Sequence, residues 1–302
     1  MAQGRIAILM ALCNGARYLP QQLDSIRGQS DTGWDLFVSD DGSVDEGPEL
    51  ARAFGAEVSK GPQAGFAANF LTLLRNVPER YEFASFSDQD DIWLPHKLLR
   101  AREAFGRLND RRPALYCSRT MVCDAFLKPL APSPRWRRPF GFANALVQNV
   151  AAGNTIVLNR AAISLAQQAA PMAMGVPAHD WWVYQLVTGA GGIVIRDDRP
   201  GLFYRQHGAS QMGRNDTLAA SLARMQKLAE GDFRRWNDAN IAALGAVDYL
   251  LTDEARARLV QFAFARLLPL GPRLQGLRRA GIYRQTWTGT AALWAAAAAG
   301  RL

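Results

Sequence analysis

From Arg5 to Ser87 the chain alternates short apolar runs with stretches of helical apolar spacing, and this alternation restricts the possible folds more than any other feature. Arg5–Leu12, Trp34–Ser39, Ala56–Ser59 and Phe83–Ser87 read as strands. Between them Tyr18–Gly28, with Leu19, Leu23 and Ile26 along one side, Glu46–Phe54 and Phe66–Asn76 read as helices. Such alternation predicts an α/β fold with a parallel sheet and right-handed crossovers. In sheets of this kind, ligands bind beyond the carboxyl ends of the strands.

Three polar clusters fall at predicted strand ends: Cys13-Asn14-Gly15, Ser39-Asp40-Asp41-Gly42-Ser43 and Ser87-Asp88-Gln89-Asp90-Asp91. Singly, each is an ordinary turn or helix cap. On successive strands of one sheet they converge, and the convergence marks a site. Asp88 and Asp90 flank one residue in an extended segment, so both side chains face the same way. Hard carboxylate oxygens with open positions suit Mg²⁺ or Mn²⁺, which complete their shells with substrate phosphates. Asp91 reads as the N-terminal cap of a helix that Pro95 helps to start, with Leu94 and Leu98 on its buried face.

The second half is less regular. Leu115–Cys123, Thr155–Leu158, Ile193–Ile195 and Leu202–Tyr204 read as strands, and His179–Thr188 as a helix opening on an acid. The Pro- and Arg-rich segment "PLAPSPRWRRPFG" reads as a loop, and the pattern from Thr217 onward is mainly helical.

Several of these segments together resemble the family 2 glycosyltransferases of the GT-A fold, in particular rhamnosyltransferase-like members that build bacterial surface polysaccharides. They are "ILMALCNGARYLPQQLDSI", "LFVSDDGSVD", "GFAANF", "SFSDQDDIWLPHKL", "GNTIVLNR", "HDWWVYQL" and "YRQHGASQMG", spread over Arg5–Gly213 in the family's order. The resemblance implies a mixed, mainly parallel Rossmann-like sheet flanked by helices. Residues 1–215 would form the catalytic domain, with a donor half to about 110 and an acceptor half beyond it, and 216–302 a helical extension.

The same resemblance implies roles position by position. Asp40 and Asp41 would bind the base and ribose of a nucleoside diphosphate sugar, with Asn14, Asn69 and Asp88 also on the donor. Asp90 would hold the metal that bridges the diphosphate. His207 would reach the metal or the diphosphate, and Arg205 or Arg214 the phosphate oxygens. Asp180 would be the general base toward an acceptor hydroxyl, in a single displacement that inverts the anomeric centre. Trp93, Asn154, Trp181 and Trp182 would line the acceptor, a saccharide or lipid-linked oligosaccharide, and dTDP-L-rhamnose is the donor implied.

The match has departures. Cys13 stands where many members carry an aromatic beside the donor base. The Gln-x-x-Arg-Trp signature of processive synthases and their membrane spans are absent, which favours transfer of one or a few sugars. A sugar nucleotidyltransferase and a non-catalytic binding module for nucleotide sugars or glycans are the rival readings.

Composition decides little beyond this. The formal charge of +8 favours anionic partners. From Ala255 to Leu302 eight arginines meet no acid, interleaved with Phe262, Phe264, Leu267, Leu268, Trp287 and Trp294. An anionic membrane interface and a helical subdomain that merely exposes its arginines both fit this tail. Nucleic acid is not expected, because no recognised binding module is present. Three cysteines without metal-ligand spacing, no secretory h-region near the start, and no apolar run of about 18 residues predict a cytoplasmic protein, soluble or peripheral on the membrane.

Overall fold

The computed structural model describes residues 4–108, 111–206 and 232–302. Strands β1 (Arg5–Leu12), β2 (Trp34–Asp40), β3 (Glu57–Lys60) and β4 (Tyr81–Ser87) alternate with helices α1 (Leu19–Arg27), α2 (Gly47–Phe54) and α3 (Phe66–Arg75). These four strands pair in parallel, in the order β3-β2-β1-β4. Residues of β1 divide between two faces with period two, as a pleated strand requires. Ile6, Ile8, Met10 and Leu12 pack with Leu19, Leu23 and Ile26 of α1, while Ala7 and Leu9 join the larger core under α3. Burial on both faces explains why β1 is an unbroken apolar run and not an alternating one. Local signals end the helices: α2 stops at Gly55, whose φ of +101° is open to glycine at little cost.

Beyond β4 the sheet becomes mixed. The remaining strands are β5 (Ile92–Trp93), β6 (Ala114–Cys123), β7 (Pro129–Pro132), β8 (Val157–Asn159) and β9 (Ile193–Arg205). β8 lies antiparallel between β4 and β6, β9 runs parallel to β6, and β5 closes the edge antiparallel to β9. The helices here are α4 (Lys97–Gly106), α5 (Phe142–Ala145), α6 (Arg160–Ala169) and α7 (His179–Gly189), followed by α8 (Asp232–Gly245), α9 (Asp253–Ala265), α10 (Leu270–Arg279) and α11 (Trp287–Ala298). Phe233, Leu244, Phe262, Leu277 and Leu293 of these last helices belong to the same core as Leu146 and Trp182. Among the described residues no helix is long and apolar enough to cross a membrane.

Four readings from the sequence change. Ile193–Ile195 and Leu202–Tyr204 are the two ends of one strand, joined through register shifts opposite Ser118–Thr120. The Pro- and Arg-rich loop contains β7, paired to β6. The strand read at Thr155–Leu158 begins with a 3₁₀ turn, Gly153–Thr155. Asp91 caps no helix, because β5 intervenes and α4 begins at Lys97 with His96 at its N-cap.

Candidate active site

The ends of β1, β2 and β4 lie side by side, and hydrogen bonds tie their loops into one rim. The Asn14 amide oxygen accepts from the Val44 N–H at 2.9 Å, and the Asn14 N–H donates to Ser43 Oγ at 2.9 Å. Asp40 accepts from the Ser43 N–H at 3.0 Å. Asp41 accepts from the N–H groups of Gln63 and Gly65, at 2.6 and 3.2 Å, and so shapes the loop that enters α3. Asn69 is buried behind this loop, where its amide donates to the Ser39 carbonyl at 2.8 Å. It braces the rim from beneath.

Gln89, the middle residue of the Asp-x-Asp, is clipped to the first rim loop in both directions. Its Oε1 accepts from the Cys13 N–H at 2.8 Å and its Nε2 donates to the Cys13 carbonyl at 3.1 Å. The carboxylate loop and the β1 loop are thereby held in one register. Asp88 and Asp90 remain partly exposed above it. Although part of the residue reaches solvent, loss of water around the Asp88 carboxyl, then the charges of Asp90 and Asp180, push it up to about 7. A site with this surplus of negative charge is suited to a cation.

Beneath the rim the third carboxylate has a different task. Asp91 is fully buried, and its oxygens accept from Asn154 Nδ2 at 2.6 Å and from the Arg205 N–H at 3.3 Å. Burial and the neighbouring Asp88 and Asp90 push its carboxyl up, opposed by those two donors. Lys97, also fully buried, donates to Ser85 Oγ at 2.9 Å and lies 3.5 Å from the centre of the Trp93 ring. Burial brings its ammonium down to about 7, while Asp91 and Asp88 act the other way.

Asp180 lies in the first turn of α7. Its oxygens accept from the Gly153 N–H at 2.9 Å and from the Trp181 N–H at 2.7 Å, which fixes the carboxylate at the helix N-terminus. Burial raises its pKa, and these N–H groups restrain the rise. His179, next to it, is stacked on Phe70 at 4.0 Å and meets Phe86 edge-on at 4.8 Å. Neither ring nitrogen has a hydrogen-bond partner, and burial lowers its pKa to about 3. The neutral ring is a spacer between Asp180 and the sheet.

The structure thus gathers Asn14, Asp40, Asp41, Asp88 and Asp90 on one rim, ties Asp180 to it through Gly153, Asn154 and Asp91, and withdraws others from it. Trp93, Trp181 and Trp182 are buried in the core and offer no stacking face to an acceptor. Trp93 is covered by Lys97, and the Trp181 indole N–H is spent on the Ala145 carbonyl at 2.6 Å. Asn154 is buried as the partner of Asp91. Arg205 is buried too: its guanidinium donates to the carbonyls of Asp90 at 2.9 Å and Ala125 at 3.0 Å, and to Gln21 Oε1. His207 and Arg214 lie outside the described residues.

Gln89, Lys97, Gly153 and His179 are the supporting residues that sequence reasoning missed. Lys97 had a signal, since it shares a face with Ala101 and Phe105 and must be buried with them. For Gln89 and Gly153 nothing local announces the contact. Among the described residues no three His, Cys, Asp or Glu side chains are placed to hold a metal by themselves. The donor set fits instead a divalent cation that takes one or two carboxylates here and its remaining ligands from a diphosphate.

The mixed α/β sheet flanked by helices is the GT-A fold of glycosyltransferases. A solved structure of S. aureus TarS (residues 1–349) shares the fold with a TM-score of 0.51 at 14% identity, over 91% of this chain and 90% of that one. The same protein in complex with UDP-GlcNAc aligns with a TM-score of 0.51 over 92% and 93%. The family model described as glycosyl transferase family 2 matches residues 7–156, which hold most of β1, all of β2–β4, the Asp-x-Asp and Asn154. The dTDP-rhamnosyl transferase RfbG of Shigella flexneri is 26% identical over 230 residues, 72% of this chain and 78% of that protein. The chain belongs to the family 2 glycosyltransferases.

Proposed function

We propose that the protein transfers a sugar, L-rhamnose from dTDP-L-rhamnose, to a saccharide or lipid-linked acceptor with inversion at the anomeric carbon. Residues 1–215 form the catalytic unit in this reading, acting at the cytoplasmic side of the membrane where surface polysaccharide is assembled. Support for the donor comes from the similarity to a dTDP-rhamnosyl transferase. The observation that carries the reading is a pair of hydrogen bonds: Gly153 donates to Asp180 at 2.9 Å and the adjacent Asn154 donates to Asp91 at 2.6 Å, so the proposed base is tied to the loop that bears Asp88 and Asp90.

The acceptor oxygen attacks the anomeric carbon as the bond to the diphosphate breaks, and the electron pair leaves with the phosphate oxygen. Asp180 takes the hydroxyl proton. A buried carboxylate whose pKa is raised toward the working pH is better matched to that transfer than an exposed one. Asp40, Asp41 and Asn14 orient the nucleoside, and Asp88 the ribose. Asp90, with Asp88 beside it, would hold a Mg²⁺ or Mn²⁺ ion that stabilises negative charge on the diphosphate. A single base and no nucleophilic partner is the requirement of an inverting displacement.

The test is a screen of nucleotide sugars for hydrolysis and transfer with each metal, together with calorimetry of nucleoside diphosphate binding. The reading expects dTDP-rhamnose to turn over, the anomeric configuration of the product to be inverted, and Asp90→Ala to lose the dependence of binding on Mn²⁺. Binding that ignores Mn²⁺ in both forms overturns the metal assignment, and retention of configuration overturns the mechanism.

A further inference from the structure

Residues 255–302 contain eight arginines and neither Asp nor Glu, so the whole formal charge of +8 resides in this segment and the rest of the chain is balanced. Packing explains one side of it. On α9, Ala255, Leu259, Phe262 and Ala265 turn inward to the core. Val260, Phe264 and Leu267 follow one another at four- and three-residue intervals on the other side, and Leu270 and Trp287 extend the same surface type. These five large apolar side chains are between 52% and 81% exposed.

The last helix repeats the pattern more strongly. α11 has no charged residue and buries only Leu293 and Ala297, whereas a helix facing water normally presents a polar side. Arg273 joins the two surfaces, donating to the Leu268 carbonyl at 2.9 Å and the Ala297 carbonyl at 3.0 Å. The end of α11 therefore lies beside the α9–α10 junction. Arg278 and Arg279 are exposed in the last turn of α10, with no carboxylate in ion-pair range among the described residues.

We propose that this face, Val260, Phe264, Leu267 and Leu270 with the uncharged side of α11, seats in an anionic lipid surface, with Arg278 and Arg279 drawn to its headgroups, whereas Arg256, Arg258 and Arg266 are engaged by Asp253, Glu254 and Asp238. Apolar insertion and basic attraction are the two contributions that together hold a peripheral protein on such a surface. The attachment also orients the enzyme. Asn144 of α5 donates to the Tyr283 carbonyl at 3.0 Å, the Arg138 N–H donates to Gln285 at 3.0 Å, and α5 receives the indole of Trp181 beside the base. A membrane that takes the tail therefore receives the acceptor half, which deepens, and rests on, the reading of a lipid-linked acceptor.

The experiment is co-sedimentation of the full chain, without donor, with phosphatidylcholine vesicles that contain or lack phosphatidylglycerol. Partition at least about tenfold stronger to the anionic vesicles is expected, and it weakens as salt is raised. Phe264→Ser with Leu267→Ser lowers partition to both vesicle types, and Arg278→Glu with Arg279→Glu removes the anionic preference. Unchanged nucleoside diphosphate binding and melting temperature show that these variants are folded. Equal partition to the two vesicle types, no partition, or variants that bind like wild type overturn the proposal. So do stronger binding to an oligonucleotide, and a dimer that Phe264→Ser and Leu267→Ser dissociate while vesicle binding persists. Vesicle binding without any sugar transfer leaves the face standing and defeats the catalytic reading instead.

Discussion

Asn154 donates its side-chain amide to the buried carboxylate of Asp91 at 2.6 Å, and this bond fastens the loop after β4 to the turn that precedes β8. Residues 63 positions apart are joined there, with the Arg205 N–H as a third member at 3.3 Å. Removal of the acceptor leaves two buried donors unpaired. Asp91→Ala is expected to cost about 2–4 kcal/mol in urea unfolding, and Asn154→Ala about half of that. An Asp91→Ala protein as stable as wild type would show that the carboxylate is not the hub of this junction.

Asp180→Asn retains the size of the side chain and its helix position but removes the proton acceptor of the proposed reaction. The turnover number should fall about 10²–10⁴-fold. Nucleoside diphosphate affinity, measured by calorimetry, should stay within about twofold, since the rim proposed to hold the donor is untouched. Wild-type turnover in this variant would assign the proton transfer elsewhere.

Gly153 donates its N–H to Asp180, and a Cβ placed on it would lie 2.9 Å from His179 Nε2. The imidazole is stacked on Phe70 and has little room to retreat. Gly153→Ala should therefore displace the base as well as strain the core, with about tenfold lower turnover and about 1–3 kcal/mol less stability. Equal activity at reduced stability would separate the turn from the base.

His179 sets an acid limb. Its pKa is near 3 in the folded protein against 6.5 in an unfolded chain, so only the unfolded chain takes up a proton between those values. This contribution is fully present above pH 6.5 and is lost as pH falls toward 3, reaching about 5 kcal/mol at the low end. Urea unfolding across this range should show the decline, and His179→Leu should flatten it. A parallel decline in both proteins would place its origin in other groups.

Much of the donor half was legible because its information is local. The strand ends at Asn14, Asp40–Asp41 and Asp88–Asp90 follow from apolar runs that end in polar clusters, and a parallel sheet brings such ends together whatever the loops do. The reading of Asp91 failed for the opposite reason. Pro95 announces a helix correctly, but the two residues Ile92–Trp93 pair with Leu202 and Phe203, and a partner more than a hundred positions away leaves no mark on local spacing. The tryptophans carry a related lesson. Trp181 and Trp182 belong to a helix whose Tyr184 and Gln185 are also buried, so α7 has no solvent side. Its lack of a polar stripe was the available sign that it runs through the interior.

Arg205 has a consequence for recombination. One guanidinium spans Gln21 on α1, the Asp90 carbonyl after β4 and the Ala125 carbonyl after β6. Related enzymes that exchange acceptor halves to gain a new acceptor would cut through this junction. A chimera that brings Arg205 without a hydrogen-bonding residue at position 21 loses one acceptor for a buried cation beneath its own Asp-x-Asp. The exchangeable unit is therefore not the contiguous second half of the chain but that half together with the first turn of α1.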